Sequence, residues 1–167
     1  GTIIFFCVWL NVDDILSILP EKFNQGKYVI LFIGLAQIFN LMTGVNGLII
    51  INSNFYKYDL VLNIFLLFLT VISNIILIPI YGINGAALAT LISMLFYNLT
   101  KLILVKWKLN IQPFSIQTIK AIFLLPIIFL VVYFIPLNGV VNILAIMIRC
   151  AVIFILYTLI IFYFKLS

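Results

Sequence analysis

Residues 60–105 read LVLNIFLLFLTVISNIILIPIYGINGAALATLISMLFYNLTKLILV. Two long apolar runs, residues 60–78 and 82–105, flank a short segment with Pro79 at its start. Each run is close to the roughly 20 residues that an α-helix needs to cross the hydrocarbon core of a bilayer. Pro79 is expected to stop the first helix, and Gly82 to begin the second. The stretch therefore predicts two membrane-spanning helices joined by a very short turn.

Further apolar runs extend this pattern in both directions, at residues 3–19, 28–51, 116–135 and 140–164. Pro20 is expected to end the first of them, and Pro126 to kink the run 116–135. Transmembrane β-strands are about ten residues long and alternate in polarity, whereas these runs are longer and unbroken. The predicted fold class is an all-α membrane protein, with six transmembrane helices in a single bundle over residues 1–167.

The composition agrees with a chain that has almost nothing outside the bilayer. Hydrophobic residues make up 66% of the sequence and charged residues 8%, with a mean hydropathy of +1.38. A soluble domain carries about a quarter charged residues, and a disordered chain has far less apolar content. Because Gly1 opens the sequence inside an apolar run, without an initiator Met, we expect a fragment of a longer chain.

The chemically active residue types are scarce, which argues against an enzyme. The sequence has no His, so the usual general base and commonest metal ligand are missing. Cys7 and Cys150 both lie in apolar runs, where cysteine is usually a small hydrophobe. The acids form no catalytic or metal-binding pattern; they are Asp13, Asp14, Glu21 and Asp59. We expect no catalytic residue, no metal, no cofactor and, despite the net charge of +5, no nucleic acid partner.

The distribution of lysines predicts the orientation in the membrane. Loops on the cytoplasmic side carry an excess of Lys and Arg. With six spans, one side receives Lys57, Lys101, Lys106, Lys108, Lys120 and Lys165, and the other only Lys22 and Lys27. This pattern predicts a multi-pass protein of the cytoplasmic (inner) membrane, with the C-terminus in the cytoplasm.

Polar and small residues recur at helical spacing within several predicted spans. One interpretation is close helix packing with amide hydrogen bonds across the interface, and the other is a wet cavity. Packing is favoured for Thr70 and for the Gly/Ala face of residues 82–105, which continues to Ser93 and Tyr97. Both interpretations stay open for the amides, and the predicted cavity candidates are Gln37, Asn40, Asn63 and Asn74. Gln37 and Asn40 belong to a face that also contains Gly34, Gly44 and Gly47. The run 116–135 has no such face and is expected to be peripheral.

Arg149 lies about ten positions into the last predicted span, where a charge costs roughly 3 kcal/mol. It could pair with Asp13, Asp14 or backbone carbonyls, or its side chain could reach the membrane surface. Alternatively, it could bind an anionic substrate such as a diphosphate, because Arg binds phosphate bidentately. Asp13 and Asp14 themselves lie near the end of the first span. They are either a solvated helix end or candidates for a carboxylate that couples transport to protons or sodium.

The segment NIILIPIYGINGAALATLIS, residues 74–93, resembles the C-terminal half of the polysaccharide-biosynthesis flippases. These form the oligosaccharide-lipid branch of the multidrug/oligosaccharidyl-lipid/polysaccharide exporter superfamily. In that family a span ending in N-x-x-L-I-P-x-Y-G is followed by G-A-A-x-A-T-x-x-S. Residues 26–28, 43–47 and 52–58 are also similar, and the resemblance covers about residues 9–114.

The resemblance implies that these helices are the last six of a transporter with twelve or fourteen spans. It implies alternating access for an undecaprenyl-diphosphate-linked oligosaccharide, such as an O-antigen or capsule repeat unit. The expected partners are the bilayer, this lipid-linked substrate, the glycan polymerase machinery and the N-terminal half of the same chain. A drug or small-molecule antiporter of the same superfamily is the alternative. A membrane-embedded glycosyltransferase would need a long outward loop, and a simple anchor would not need the polar faces.

Overall fold

The structure, a computed structural model, describes residues 2–110 and 142–164. Within these residues the regular elements are six α-helices and one 3₁₀ helix, so the all-helical prediction is confirmed there. The elements are α1 (Thr2–Leu10), α2 (Val12–Ile18), the 3₁₀ helix Glu21–Gly26, α3 (Lys27–Ile51), α4 (Tyr56–Tyr81), α5 (Ile83–Leu109) and α6 (Asn142–Phe164).

Three of the described helices, α3, α4 and α5, are long and apolar enough to cross a membrane. The chain is therefore a membrane protein. Six spans were predicted, and the described residues contain three, which correspond to the predicted runs 28–51, 60–78 and 82–105. In α6 the described apolar part is Ile143–Leu159, which is shorter than a full span. The predicted span 116–135 with Pro126 and Lys120, the turn 136–139 and Lys165 all lie outside the described residues.

The chain forms two compact units, and we describe each one by itself. Of the described residues, one unit contains residues 28–110, and the other combines residues 2–27 with residues 142–164. We call them the central unit and the terminal unit.

In the central unit, α4 and α5 form a hairpin that turns at Gly82. This glycine has φ 59° and ψ −133°, a conformation that side chains with a Cβ disfavour. Its N–H donates to the Ile78 carbonyl at 2.8 Å and closes α4. Pro79 lies inside α4, which continues to Tyr81, so the prediction that Pro79 stops the helix is wrong. A proline removes one helical hydrogen bond, but here the chain reverses only where glycine permits a positive φ.

The small residues at the start of α5 let the two helices of the hairpin approach closely. A Cβ added to Gly85 would overlap the backbone carbonyl of Leu77 on α4. Further along the same face Ala89 is 0% exposed and Ser93 1%. The packing interpretation of this face is confirmed, because the absence of a side chain at Gly85 determines the distance between the helix backbones.

Helix α3 buries a different face from the one that its glycines and amides predicted. Its buried residues are Ala36, Thr43, Asn46 and Ile50, whereas Gln37 and Gly44 are exposed. Ile50 packs in the core of the central unit with Leu62, Tyr97 and Val105. The burial of Ile50, a large apolar side chain, determines which face of α3 packs against the core. The pattern of polar residues alone did not predict that face.

In the terminal unit the predicted span 3–19 is interrupted at Asn11, which separates α1 from α2. The Asn11 side chain is wholly buried and its Nδ2 donates to the Cys7 carbonyl at 2.7 Å. Helix α2 ends at Ile18, and Leu19 is extended because it precedes Pro20. The predicted helix end at Pro20 is confirmed, but one continuous span is wrong. On α6, Ile153 packs against side chains of α1, which include Ile3 and Cys7.

Candidate functional site

Charged and polar side chains form two clusters inside the described helices, one in each unit. In the central unit, Asp59, Asn63, Tyr97 and Lys101 join α4 to α5, and we call them the Lys101 cluster. In the terminal unit, Asn11, Asp14 and Arg149 join the region of α1 and α2 to α6, and we call them the Arg149 cluster.

The Lys101 cluster is built around a buried ion pair. Lys101 Nζ lies 3.0 Å from Asp59 Oδ1, and the two side chains are 10% and 15% exposed. The ammonium also lies 4.4 Å from the centre of the Tyr97 ring, one turn earlier on α5, in a cation–π contact. On α3, a Cβ added to Gly47 would lie 3.1 Å from Lys101 Nζ. Gly47 therefore leaves room for the ammonium.

Asn63 connects the tyrosine to the carboxylate. The Tyr97 hydroxyl donates to Asn63 Oδ1 at 2.7 Å. Asn63 Nδ2 donates to Asp59 Oδ2 at 3.0 Å and to the Asp59 carbonyl at 2.9 Å. The hydroxyl, amide, carboxylate and ammonium thus form a connected network between two membrane-spanning helices. Such networks hold their members in fixed positions when each hydrogen bond is satisfied.

Lys101 was counted with the lysines that flank the loop after the run 82–105 and report orientation, whereas the structure buries its side chain. The residue lies two turns before the end of α5 and is buried. Of the cations in the two clusters, Lys101 is buried and Arg149 is half-buried. The sequence did contain evidence for this position, because Ser93, Tyr97 and Lys101 follow one another in steps of four. The polar face identified up to Tyr97 reaches Lys101 with one further step.

Four described side chains of the central unit have a buried polar atom without a hydrogen-bond partner: Asn46, Asp59, Asn84 and Ser93. Oδ1 of Asp59 is in contact with Lys101 as an ion pair. Neither amide atom of Asn46 is paired, although the residue is wholly buried, and the Ser93 hydroxyl is also unpaired. Asn46 precedes Gly47, so it lies next to the residue that Lys101 approaches on α3. A buried unpaired polar group costs about 1–3 kcal/mol. Sequence reasoning did not select Asn46 because it lies off the predicted polar face.

The Arg149 cluster realises one of the alternatives that the sequence left open. Arg149 Nη1 lies 2.5 Å from Asp14 Oδ2 and 3.3 Å from Asn11 Oδ1. The Arg149 and Asp14 side chains are 22% and 27% exposed, which suits a charge-assisted hydrogen bond with limited access to solvent. In this arrangement Asp14 already occupies one donor group of the guanidinium. The structure therefore shows the Arg149–Asp14 ion pair, and contact of Arg149 with a diphosphate substrate stays a prediction.

Asp13 and its neighbour Asp14 form ion pairs with different cations. Its carboxylate pairs with Lys27 at 2.5 Å and its side chain is 76% exposed. A cavity of about 200 Å³ lies between these groups, lined by Leu10, Asp13, Asp14 and Arg149. Both predicted coupling carboxylates therefore reach the same cavity, and each is paired with a cation.

Of the four predicted cavity amides, only Asn63 belongs to one of the clusters. Asn63 belongs to the Lys101 cluster, but Gln37 is exposed on α3, and Asn40 and Asn74 are half-buried. Their role in a substrate cavity stays a prediction.

The two cysteines, 143 positions apart in sequence, meet in the terminal unit. Cys7 and Cys150 are free thiols, and Nδ2 of Asn11 donates to the Cys7 carbonyl at 2.7 Å and lies 3.8 Å from Cys150 Sγ. Within residues 2–110 and 142–164, no three His, Cys, Asp or Glu side chains come together as metal ligands would.

Comparison of the chain with protein-family models, with curated proteins and with solved structures found no match.

Proposed function

We propose that this chain is the C-terminal part of a flippase that moves a lipid-linked oligosaccharide across the cytoplasmic membrane by alternating access. The observation that carries the proposal is the Lys101 cluster. It places a buried ion pair inside helices that are long enough to span the bilayer. Ionisable residues within membrane spans are costly and mark substrate or ion pathways, so a transporter accounts for the pair better than an anchor does.

The substrate class rests on the resemblance of residues 74–93 to the polysaccharide flippases. The same residues form the tight hairpin at Gly82 and the close approach at Gly85, which gives the motif a physical role. In this proposal the described helices belong to a six-helix bundle of a transporter with twelve or fourteen spans. The N-terminal half of that chain, the lipid-linked glycan and the glycan polymerase machinery are its partners.

Amide side chains suit the glycan part of such a substrate. Sugar hydroxyls donate and accept hydrogen bonds, and Asn and Gln side chains do both. Gln37, Asn40 and Asn74 are exposed or half-buried, so a ligand could contact them. No covalent step is required, and the protein would act as a transporter rather than an enzyme.

The proposed orientation places the C-terminus in the cytoplasm. Without Lys101, five lysines still lie on the proposed cytoplasmic side, against Lys22 and Lys27 on the other. Lys57, Lys106 and Lys108 are exposed near helix ends, as the positive-inside rule expects.

Expression of the full-length protein in bacteria that lack their own glycan flippase tests this proposal. The measurement is surface glycan, detected by antibody or lectin, in cells of matched membrane abundance. Restored surface glycan together with unchanged ethidium efflux supports the flippase. Ethidium efflux without surface glycan would instead support the drug antiporter. The absence of both activities would contradict transport of either substrate class.

A further inference from the structure

We propose that the cavity beside Arg149 binds the headgroup of an aminophospholipid such as phosphatidylethanolamine. This binding is distinct from the proposed transport, and its test does not require transport. The cavity measures about 200 Å³ and is lined by Leu10, Asp13, Asp14 and Arg149. A water occupies about 30 Å³ in the liquid, so the cavity is large enough for a group of several non-hydrogen atoms.

The lining offers complementary partners to both charges of such a headgroup. A guanidinium has five N–H donors. In Arg149, Nη1 donates to Asp14 and to Asn11, which leaves three N–H groups. The remaining donors can bind a phosphate, for which Arg is well suited. Asp13 and Asp14 supply carboxylates that can accept hydrogen bonds from a primary ammonium.

The charge balance favours a zwitterion over a plain anion. The lining holds two carboxylates and one guanidinium, and Lys27 pairs with Asp13 from outside the lining. A diphosphate would bring two or more negative charges next to both carboxylates. A phosphate that carries its own ammonium adds no net charge, and each of its ends meets an opposite charge.

Apolar side chains near the cavity suit the acyl chain of a lipid. Asp14 lies four residues before the end of α2 at Ile18, which is about 6 Å along a helix axis. Exposed apolar side chains lie nearby in the sequence: Ile18 at the end of α2, Leu19 after it, and Ile148 next to Arg149 on α6. An acyl chain can therefore lie on these apolar residues while the headgroup occupies the polar cavity.

Native mass spectrometry of the purified full chain with defined lipids tests the proposal. Phosphatidylethanolamine, phosphatidylcholine and phosphatidylglycerol with identical acyl chains are offered at equal concentration. We expect about tenfold preferential retention of phosphatidylethanolamine. Phosphatidylcholine has no N–H group for the carboxylates, and phosphatidylglycerol has no ammonium.

Two variants connect that preference to the cavity. Asp13→Asn changes an exposed side chain, so the fold is expected to persist while the preference over phosphatidylcholine falls. Arg149→Gln is expected to weaken retention of both phosphatidylethanolamine and phosphatidylcholine. Glu21→Gln is the matched control, because Glu21 is an exposed acid of the same unit outside the lining.

Three results would overturn the proposal. They are equal retention of the three lipids, an unchanged preference in Asp13→Asn, and stronger retention of undecaprenyl diphosphate than of phosphatidylethanolamine. Retention of soluble phosphoethanolamine without retention of the lipid would overturn the assignment to a membrane lipid.

Discussion

The ammonium of Lys101 lies 3.0 Å from Oδ1 of Asp59, and the two buried side chains connect α5 to the first turn of α4. Tyr97 and Asn63 complete the network on the same two helices. Removal of one partner from a buried ion pair leaves an uncompensated charge, which costs about 3–5 kcal/mol. Since both side chains retain some exposure, we expect the lower end of that range.

Lys101→Met should therefore lower thermal stability strongly. The measurement is the melting temperature of the full chain in detergent. Lys108→Met is the matched control, because Lys108 is an exposed lysine in the last turn of the same helix. A similar small change in both variants would show that Lys101 is not buried against Asp59.

Gly85→Ala should destabilise the α4–α5 hairpin by about 1–3 kcal/mol, the usual cost of overpacking. The added methyl group would overlap the Leu77 carbonyl, which belongs to the backbone and cannot rotate away. Gly44→Ala is the matched control on α3, where a Cβ has open space. It should be neutral or stabilising by up to about 1 kcal/mol. Equal melting temperatures for the two variants would contradict the close approach of α4 and α5.

Asn11→Ala should cost more than Asn52→Ala, although each asparagine donates to the carbonyl four residues earlier. Asn11 is wholly buried and also contacts Arg149 and Cys150, whereas Asn52 is exposed. Loss of the buried amide leaves partners unsatisfied, at about 1–3 kcal/mol. Melting of the two variants in parallel measures the difference, and an equal loss would argue against the Asn11 contacts with α6.

Oxidation with copper phenanthroline should join Cys7 to Cys150. The Asn11 amide contacts both residues, through the Cys7 carbonyl and Cys150 Sγ, so the two thiols lie close enough for a disulfide to form with a small movement of α1 against α6. Mass spectrometry of the digested protein should find the linked peptides, and Cys7→Ser should abolish them. Failure to link the two cysteines in the folded protein would contradict the packing of the terminal unit.

Much of the helical architecture could be predicted from apolar run length. The hairpin at Gly82 was also predictable, since glycine is the residue that turns most readily. Pro79 was misjudged because a proline weakens a helix without always ending it. The break at Asn11 was missed because one residue departs from helical dihedral angles, with φ −107° and ψ 13°, which no apolar pattern records.

The sites were harder to predict than the helices. The Arg149–Asp14 pair was among the alternatives, because a charge in a membrane span needs a partner. The Lys101–Asp59 pair was missed because Asp59 lay outside the predicted run 60–78, and Lys101 was counted with the lysines that flank a loop and set the orientation. Hydropathy places such boundaries only approximately, and a shift of about one turn decides whether a charge is exposed or buried.

The most direct test of the central claim uses the double variant Lys101→Met/Asp59→Leu. Replacement of a buried ion pair by apolar residues is often neutral for stability, so this variant should recover the melting temperature that Lys101→Met loses. The measurement is translocation of a fluorescent undecaprenyl-diphosphate oligosaccharide in proteoliposomes of the full-length protein. We predict translocation by the wild-type protein and at least about a tenfold loss in the stable double variant. No translocation by the wild-type protein, or full translocation by the double variant, would contradict the account.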